Sequence, residues 1–236
     1  SMTAQFYNSI NPSLGNLAAT EGKERQYSIF KKLNFGTFWI TCFCATCFFC
    51  LFNPFIRIWL GSDEWLLPVW TVGVYVLEYF FATMIGPIGA FRNANGLFVQ
   101  TKYLALIQAI LNLVISISLV KSLGILGVLI GTVLACVLTR MWYEPKVLYK
   151  EVFHRSVFGY YAQLGVYLTI TVACCVIVNG IVYCLPTMEV LLELCIRTIL
   201  CMVTTNGIIF LLYRKTTEYK ECILLVYKIV KKFLRR

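Results

Sequence analysis

Six long apolar runs constrain this sequence more than any other feature. They cover residues 34–60, 65–91, 103–121, 122–143, 160–185 and 190–213. An α-helix needs about 20 apolar residues to cross the hydrocarbon core of a bilayer, and within lipid a helix satisfies its own backbone hydrogen bonds. We therefore predict an all-α integral membrane protein with about six transmembrane helices.

The composition also favours a membrane protein. Hydrophobic residues make up 59% of the 236 residues and charged residues 14%, whereas soluble domains are about 45–50% apolar and about 25% charged. One soluble core cannot hide this much apolar surface, so we predict the lipid bilayer as a partner.

The basic residues indicate how the runs are oriented. The net charge of +10 could by itself suggest nucleic acid, but the lysines and arginines are grouped around the ends of the runs. If all six runs cross the membrane, every basic residue except Arg57, Lys121 and the intramembrane Arg197 falls on one side. Because basic residues favour the cytoplasmic side, we predict a multi-pass protein with both termini in the cytoplasm and no nucleic-acid partner.

This orientation divides the chain into three parts. They are a cytoplasmic segment at 1–33, a six-helix transmembrane domain at 34–213 and a cytoplasmic amphipathic basic tail at 214–236. In the tail, "TTEYKECILLVYKIVKKFLRR", apolar residues recur at three- and four-residue spacing, and basic residues take much of the rest. That pattern predicts a helix on the anionic inner leaflet; a frayed basic tail is the alternative.

Glycines in "KSLGILGVLIGT" predict a close contact between the third and fourth runs. Gly127 and Gly131 lie four residues apart on one helix face, and small residues let membrane helices approach closely. Gly124 suits the turn between the two helices, where a positive φ is required. In the second run, Gly86 predicts another packing contact, and Pro87 predicts a kink.

Four cysteines in the first run have spacings that resemble those of a metal site. Cys42, Cys44, Cys47 and Cys50 lie among Phe, Leu and Ile, with no histidine nearby. Structural zinc sites are closed clusters of Cys and His ligands, whereas a free cysteine packs as a small apolar side chain. We therefore predict no metal and no cofactor.

Charged residues in and beside the runs are candidates for function, because ionisable groups inside membranes are costly. Glu78 lies near the middle of the second run and is either functional or a partnered carboxyl group. Arg92 and Arg140 lie near the cytoplasmic ends of the second and fourth runs. They could bind a diphosphate through charge-assisted hydrogen bonds or simply mark the topology. Glu193 and Arg197, four residues apart in the sixth run, predict a neutralised pair.

A polar stripe follows the third run. Gln108, Asn112 and Ser116 are spaced at i, i+4 and i+8 on an otherwise apolar helix. Such neutral donors and acceptors could bind sugar hydroxyls, or they could form hydrogen bonds between membrane helices.

The ordered series of segments resembles a known family. The segment "LNLVISISLVKSLGILGVLIGTVLA" resembles the central hairpin of the polysaccharide-synthesis flippases, which belong to the multidrug/oligosaccharidyl-lipid/polysaccharide exporter superfamily. The segments "NPSLGNLAATEGKERQYSIFKKLNF", "FRNANGLFVQTKY" and "EPKVLYKEVF" resemble cytoplasmic elements of those proteins. The sequence looks closest to transporters of O-antigen or capsule repeat units.

The resemblance implies a bacterial cytoplasmic-membrane transporter with two rocking lobes. Such a transporter moves an undecaprenyl-pyrophosphate-linked oligosaccharide between leaflets, and cationic residues in a central cavity hold the pyrophosphate. This chain would supply only the C-terminal half, as one lobe plus a terminal helix pair, beginning with a truncated helix near residues 1–11. The implied partner is then a missing N-terminal lobe or a second copy.

Other functions remain open at this stage. A multidrug exporter of the same superfamily and a non-transporting remnant lobe are both alternatives. An enzyme is not expected, because the chain has one histidine, His154, and no loop holds a carboxylate pair or a nucleophile–base set.

Overall fold

The computed structural model describes residues 2–184 and 189–233. Its α-helices are α1 (Met2–Thr20), α2 (Lys23–Leu60), α3 (Val69–Met84), α4 (Gly86–Ala94), α5 (Leu104–Leu123), α6 (Ile125–Leu138), α7 (Arg140–Leu148), α8 (Phe158–Tyr183), α9 (Val190–Tyr213) and α10 (Thr217–Phe233). Short 3₁₀ turns lie at Asp63–Trp65 and Val99–Thr101, and a π-helical turn at Tyr149–Phe153. The part of the chain described contains no strand, which confirms the all-α prediction.

Six helical segments are long and apolar enough to cross a membrane. They are Lys23–Leu60, Val69–Ala94, Val99–Leu123, Ile125–Phe153, Phe158–Tyr183 and Val190–Tyr213. They follow the order of the six predicted runs. The predicted end of the fifth run at 185, residue 1 and residues 234–236 of the tail lie outside the described residues.

Helix α2 is the central element of the bundle, in contact with α3, α8, α9 and α10. It has 38 residues, so it is about 57 Å long at 1.5 Å per residue, well beyond the roughly 30 Å of a hydrocarbon core. It begins at Lys23, within the segment predicted as cytoplasmic. Side chains before residue 34 are bonded to other elements, since Glu24 accepts from Arg155 at 2.7 Å and Lys31 lies 3.2 Å from Glu218.

Several elements meet at the end of the bundle that contains the first turns of α2. Phe30 of α2 packs against Phe91 of α4 at 5.4 Å and against Phe153 of the π-helical turn at 5.2 Å, measured between ring centroids. Tyr149 and Tyr160 complete this buried aromatic cluster. The separations are typical of favourable aromatic pairs. The cluster therefore fixes the ends of α4 and α7 and the start of α8 together, on the side predicted to be cytoplasmic.

The second membrane segment is interrupted, as the proline at position 87 predicts. Helix α3 ends at Met84 and α4 begins at Gly86. A Cβ atom on Gly86 would collide with the ring of Tyr7 on α1. The absence of a side chain at Gly86 therefore lets α1 pack directly on α4.

The α5–α6 hairpin depends on the glycines between and after its turn. Gly124 has φ of +56°, a conformation that costs a residue with a Cβ far more than glycine. A Cβ atom on Gly127 would lie 2.6 Å from the Leu119 carbonyl oxygen, and one on Gly131 would lie 2.5 Å from Ser116 Oγ. None of the residues of α5 is buried, so this helix lies at the edge of the bundle and packs mainly on α6.

The start of α10 is held against α2. Lys32 forms an ion pair with Glu221, and the Cys222 thiol lies 3.8 Å from the Lys32 carbonyl oxygen. Burial raises the pKa of that thiol. Ile223, Leu224, Leu225 and Tyr227 remain exposed. The tail is therefore helical over Thr217–Phe233, while its placement on the lipid surface stays a prediction.

Candidate functional site

A cleft of about 490 Å³ opens between α4, α5 and α7 at the end predicted to be cytoplasmic. Its lining comprises Arg92, Phe98, Thr101, Lys102, Leu104, Ala105, Gln108, Ala109, Asn112, Arg140 and Glu144. The structure thus brings together four of the six predicted substrate-binding residues, which are Arg92, Gln108, Asn112 and Arg140.

Two helix breaks position the arginines. The interruption at Ile85 starts the short helix α4, whose last turn carries Arg92. On the other wall, α6 ends at Leu138 and α7 begins at Arg140. Both arginines therefore lie on short helices at the ends of membrane segments, where they face each other across one carboxylate.

Glu144 is that carboxylate, and it joins the two arginines. Its Oε1 lies 2.9 Å from Arg92 Nη1 in an ion pair and accepts a hydrogen bond from Arg140 Nε at 2.8 Å. The Glu144 side chain is only 2% exposed, whereas that of Arg140 is 35% exposed. A buried carboxylate of this kind requires cationic partners, and the two arginines supply them.

Two donor groups of Arg140 remain available for a ligand. Arg92 also donates through Nε and Nη2 to Asn93 Oδ1, at 3.3 and 3.0 Å. Arg140 Nη1 and Nη2 have no hydrogen-bond acceptor among the described residues, and the side chain lines the cleft. The outer fork of Arg140 is therefore available for a planar or tetrahedral anion.

The charge of the cleft favours anions. Lys102 joins Arg92 and Arg140 in the lining, and Glu144 is the one acidic residue there. Three cations and one carboxylate leave an excess of positive charge within a concave, partly desolvated site. A cleft lined by one sign of charge concentrates ligands of the opposite sign.

The polar stripe on α5 divides into two parts. Gln108 lines the cleft, and its side chain has no hydrogen-bond partner in the described part of the chain. Asn112 also lines it, but its Oδ1 accepts from Ser116 Oγ at 2.9 Å and weakly from Thr132 Oγ1 at 3.4 Å. Ser116 lies beyond the cleft, near the Gly131 contact. Gln108 is thus free for a ligand, whereas Asn112 and Ser116 link α5 to α6.

Glu78 does not reach the cleft. It is half-buried on α3, and it forms no ion pair with any described residue. It is therefore absent from the lining that Arg92, Gln108, Asn112 and Arg140 share.

Sequence reasoning missed Glu144. The fourth apolar run ends at residue 143, so Glu144 lies one residue outside the segments in which an ionisable group is a candidate for function. The available signal was its position four residues after Arg140, the spacing at which helical side chains meet. Its contact with Arg92 joins distant parts of the chain and leaves no local pattern.

A second polar cluster, around Arg197, serves packing. The predicted Glu193–Arg197 pair is present, with Arg197 Nε 2.8 Å from Glu193 Oε1. Arg197 Nη1 also donates to the Cys50 carbonyl oxygen at 3.1 Å and lies 3.4 Å from Asn179 Oδ1. Pro54, four residues after Cys50, has no N–H for that carbonyl. Arg197 therefore replaces a missing helical hydrogen bond.

The cysteines pack as small apolar side chains between α2, α8 and α9. Cys42, Cys50, Cys174, Cys175 and Cys201 are all buried. In the part of the chain that the structure describes, no group of three or more His, Cys, Asp or Glu side chains is arranged to hold a metal ion.

No family model, curated protein or solved structure matches this chain. The function is therefore argued from the geometry and charge of the cleft.

Proposed function

We propose that this chain is part of a flippase for undecaprenyl-diphosphate-linked oligosaccharides, which feeds capsule or O-antigen synthesis at the bacterial cytoplasmic membrane. The observation that carries the proposal is the cationic cleft of Arg92, Lys102 and Arg140 at one end of a bundle of six long apolar helices. Such a combination suits a ligand with an anionic head and a lipid tail.

The diphosphate is the part of the ligand that the cleft suits best. The unbonded fork of Arg140 can donate two parallel hydrogen bonds to phosphate oxygens. Lys102, an exposed residue of the same lining, adds a flexible point charge.

Sugar hydroxyls have a separate neutral surface. The Gln108 amide offers both donors and an acceptor, and it lies on α5 one turn from Asn112. The apolar length of α5 then continues from the cleft toward the opposite end of the bundle. The diphosphate would thus contact the cationic cleft, the sugar would contact Gln108, and the lipid tail would contact the apolar part of α5.

A multidrug exporter is supported less well. Cationic drugs require a free carboxylate, and Glu144 already forms ion pairs with two arginines. The remaining positive charge of the cleft repels a cationic ligand.

Transport requires a second body. Alternating access moves one bundle against another around a shared site, and α5, which forms one wall of the cleft, has no buried residue. We propose that another lobe or a second copy covers this side of the cleft. Without it, the chain binds its ligand but does not move it, as a remnant lobe would.

The test distinguishes binding of the diphosphate head group from binding of the lipid tail. The full chain, purified in detergent, is titrated with undecaprenyl diphosphate and with undecaprenol, which carries the same tail and no charge. We expect binding of the diphosphate lipid and little binding of the alcohol. Arg140→Ala is expected to weaken diphosphate binding about 10- to 150-fold, the value of one charge-assisted hydrogen bond.

Arg214→Ala is the matched control, because Arg214 is an exposed arginine outside the cleft. It is expected to bind like the unmodified chain. Equal binding of both lipids, or equal binding by both arginine variants, would contradict the proposal.

A further inference from the structure

The two oxygens of Glu144 have different surroundings. Oε1 forms ion pairs with both Arg92 and Arg140, whereas Oε2 is buried and has no hydrogen-bond partner among the described residues. A buried acceptor left without a donor is destabilising. The carboxylate is therefore held in the cleft by the arginines alone, through one of its oxygens.

Tyr160 supplies an unused donor on the neighbouring helix α8. Its side chain is 2% exposed, and its hydroxyl has no hydrogen-bond partner in the described part of the chain. The Tyr160 ring packs on Tyr149, the residue directly after α7, at 5.9 Å between ring centroids, and the Glu144 carboxylate of α7 acts electrostatically on the Tyr160 hydroxyl. Two buried polar groups, one an acceptor and one a donor, thus lie on neighbouring elements, each without a hydrogen-bond partner among the described residues. Native structures leave few such groups, and each one calls for an explanation.

An anion in the cleft competes with Glu144. Each arginine interacts with whichever oxyanion lies closest, and a diphosphate brings more negative charge than one carboxylate. Once the arginines turn to the ligand, Glu144 loses its partners while still buried. An unpaired buried charge is strongly unfavourable, so it requires another donor within the protein.

We propose that Glu144 is an internal counter-ion that an anionic ligand displaces from Arg92 and Arg140, and that the Tyr160 hydroxyl receives the displaced carboxylate. This inference rests on the anion site of the proposed function and adds its regulation. In the empty cleft, Glu144 holds the arginines in place. In the occupied cleft, it moves to Tyr160 and limits how tightly the ligand is held. A transport site needs binding that is weak enough to permit release.

The experiment uses inorganic pyrophosphate, which carries the head charge without the lipid. Calorimetric titration of the full chain in detergent, at one pH and ionic strength, gives the dissociation constant for each variant. Glu144→Gln removes the competing charge and keeps the shape, so binding is expected to tighten about tenfold or more, the lower end of the range for one charged hydrogen bond. Tyr160→Phe removes only the receiving hydroxyl, so binding is expected to weaken about two- to tenfold.

Glu151→Gln is the matched control, because Glu151 is an exposed carboxylate of the π-helical turn outside the cleft. It is expected to bind as the unmodified chain does. If Glu144→Gln binds pyrophosphate equally or more weakly, Glu144 only positions the arginines and the counter-ion proposal is wrong, although the anion site stands. If Glu144→Gln does not fold, the test depends on Tyr160→Phe. In that case, pyrophosphate binding by Tyr160→Phe equal to that of the unmodified chain overturns the proposal. Absence of binding in every variant overturns both the anion site and its counter-ion.

Discussion

Pro54 leaves the carbonyl of Cys50 without its helical donor, and Arg197 supplies one from α9. At the scale of single residues, this contact explains why an arginine lies within an apolar helix long enough to cross a membrane. Its guanidinium is shared among a carboxylate, an amide and a backbone carbonyl. Arg197 is thus bonded to α2, α8 and its own helix, and no free donor of it points to a ligand.

Arg197→Ala is expected to destabilise the protein by about 1.5–3 kcal/mol, because it removes the charged hydrogen bonds to Glu193 and to the Cys50 carbonyl oxygen. The double replacement Glu193→Leu with Arg197→Met removes both charges and is expected to restore much of that loss. Thermal unfolding in detergent measures both effects. A single variant as stable as the unmodified chain would show that the pair is solvated and unimportant.

At the scale of elements, the α5–α6 hairpin sets one wall of the cleft. The glycines on α6 bring the two helices together, and Asn112 and Ser116 add polar contacts at the same place. The position of Gln108 in the cleft therefore depends on contacts between α5 and α6 that lie more than one helical turn from Gln108.

Gly131→Ala tests this dependence. The added methyl group would lie 3.0 Å from the Ser116 amide nitrogen, so the helices must separate, and we expect a lower melting temperature despite the better helix propensity of alanine. Gly207→Ala on α9 is the control, because no atom outside its own helix turn lies within 4 Å of the new Cβ. That change is expected to be neutral or to stabilise by about 0.4–1 kcal/mol. Equal effects at both positions would mean that the hairpin tolerates a wider spacing.

At the scale of the whole molecule, the number and order of the apolar segments could be predicted because each run must be long enough to cross a bilayer. The early start of α2 could not be predicted from hydropathy, because its first turns are polar. Ion pairs to α10 and the Glu24–Arg155 contact hold those turns in place. Hydropathy does not detect helix that is stabilised by such distant partners.

Some residues of the candidate site could likewise be predicted from the sequence, and others could not. Arg92 and Arg140 could be found, because a guanidinium at the end of an apolar run can form charge-assisted hydrogen bonds with an anionic head group. The role of Glu144 could not be predicted, because that role depends on a contact between α4 and α7 that no sequence spacing encodes. The absence of Glu78 from the cleft lining likewise depends on tertiary packing, which a single polar residue does not reveal.

We predict a six-span bundle whose cationic cleft opens to the cytoplasm, and cysteine labelling in intact cells measures this orientation. Val99, next to the cleft, is 72% exposed, and Lys121 lies at the opposite end of α5 in an exposed position. Each is replaced by cysteine in a chain whose exposed Cys184 and Cys195 are changed to serine, and a membrane-impermeant maleimide is added before or after permeabilisation. The account predicts that position 121 reacts in intact cells and that position 99 reacts only after permeabilisation. Labelling of position 99 in intact cells would contradict it.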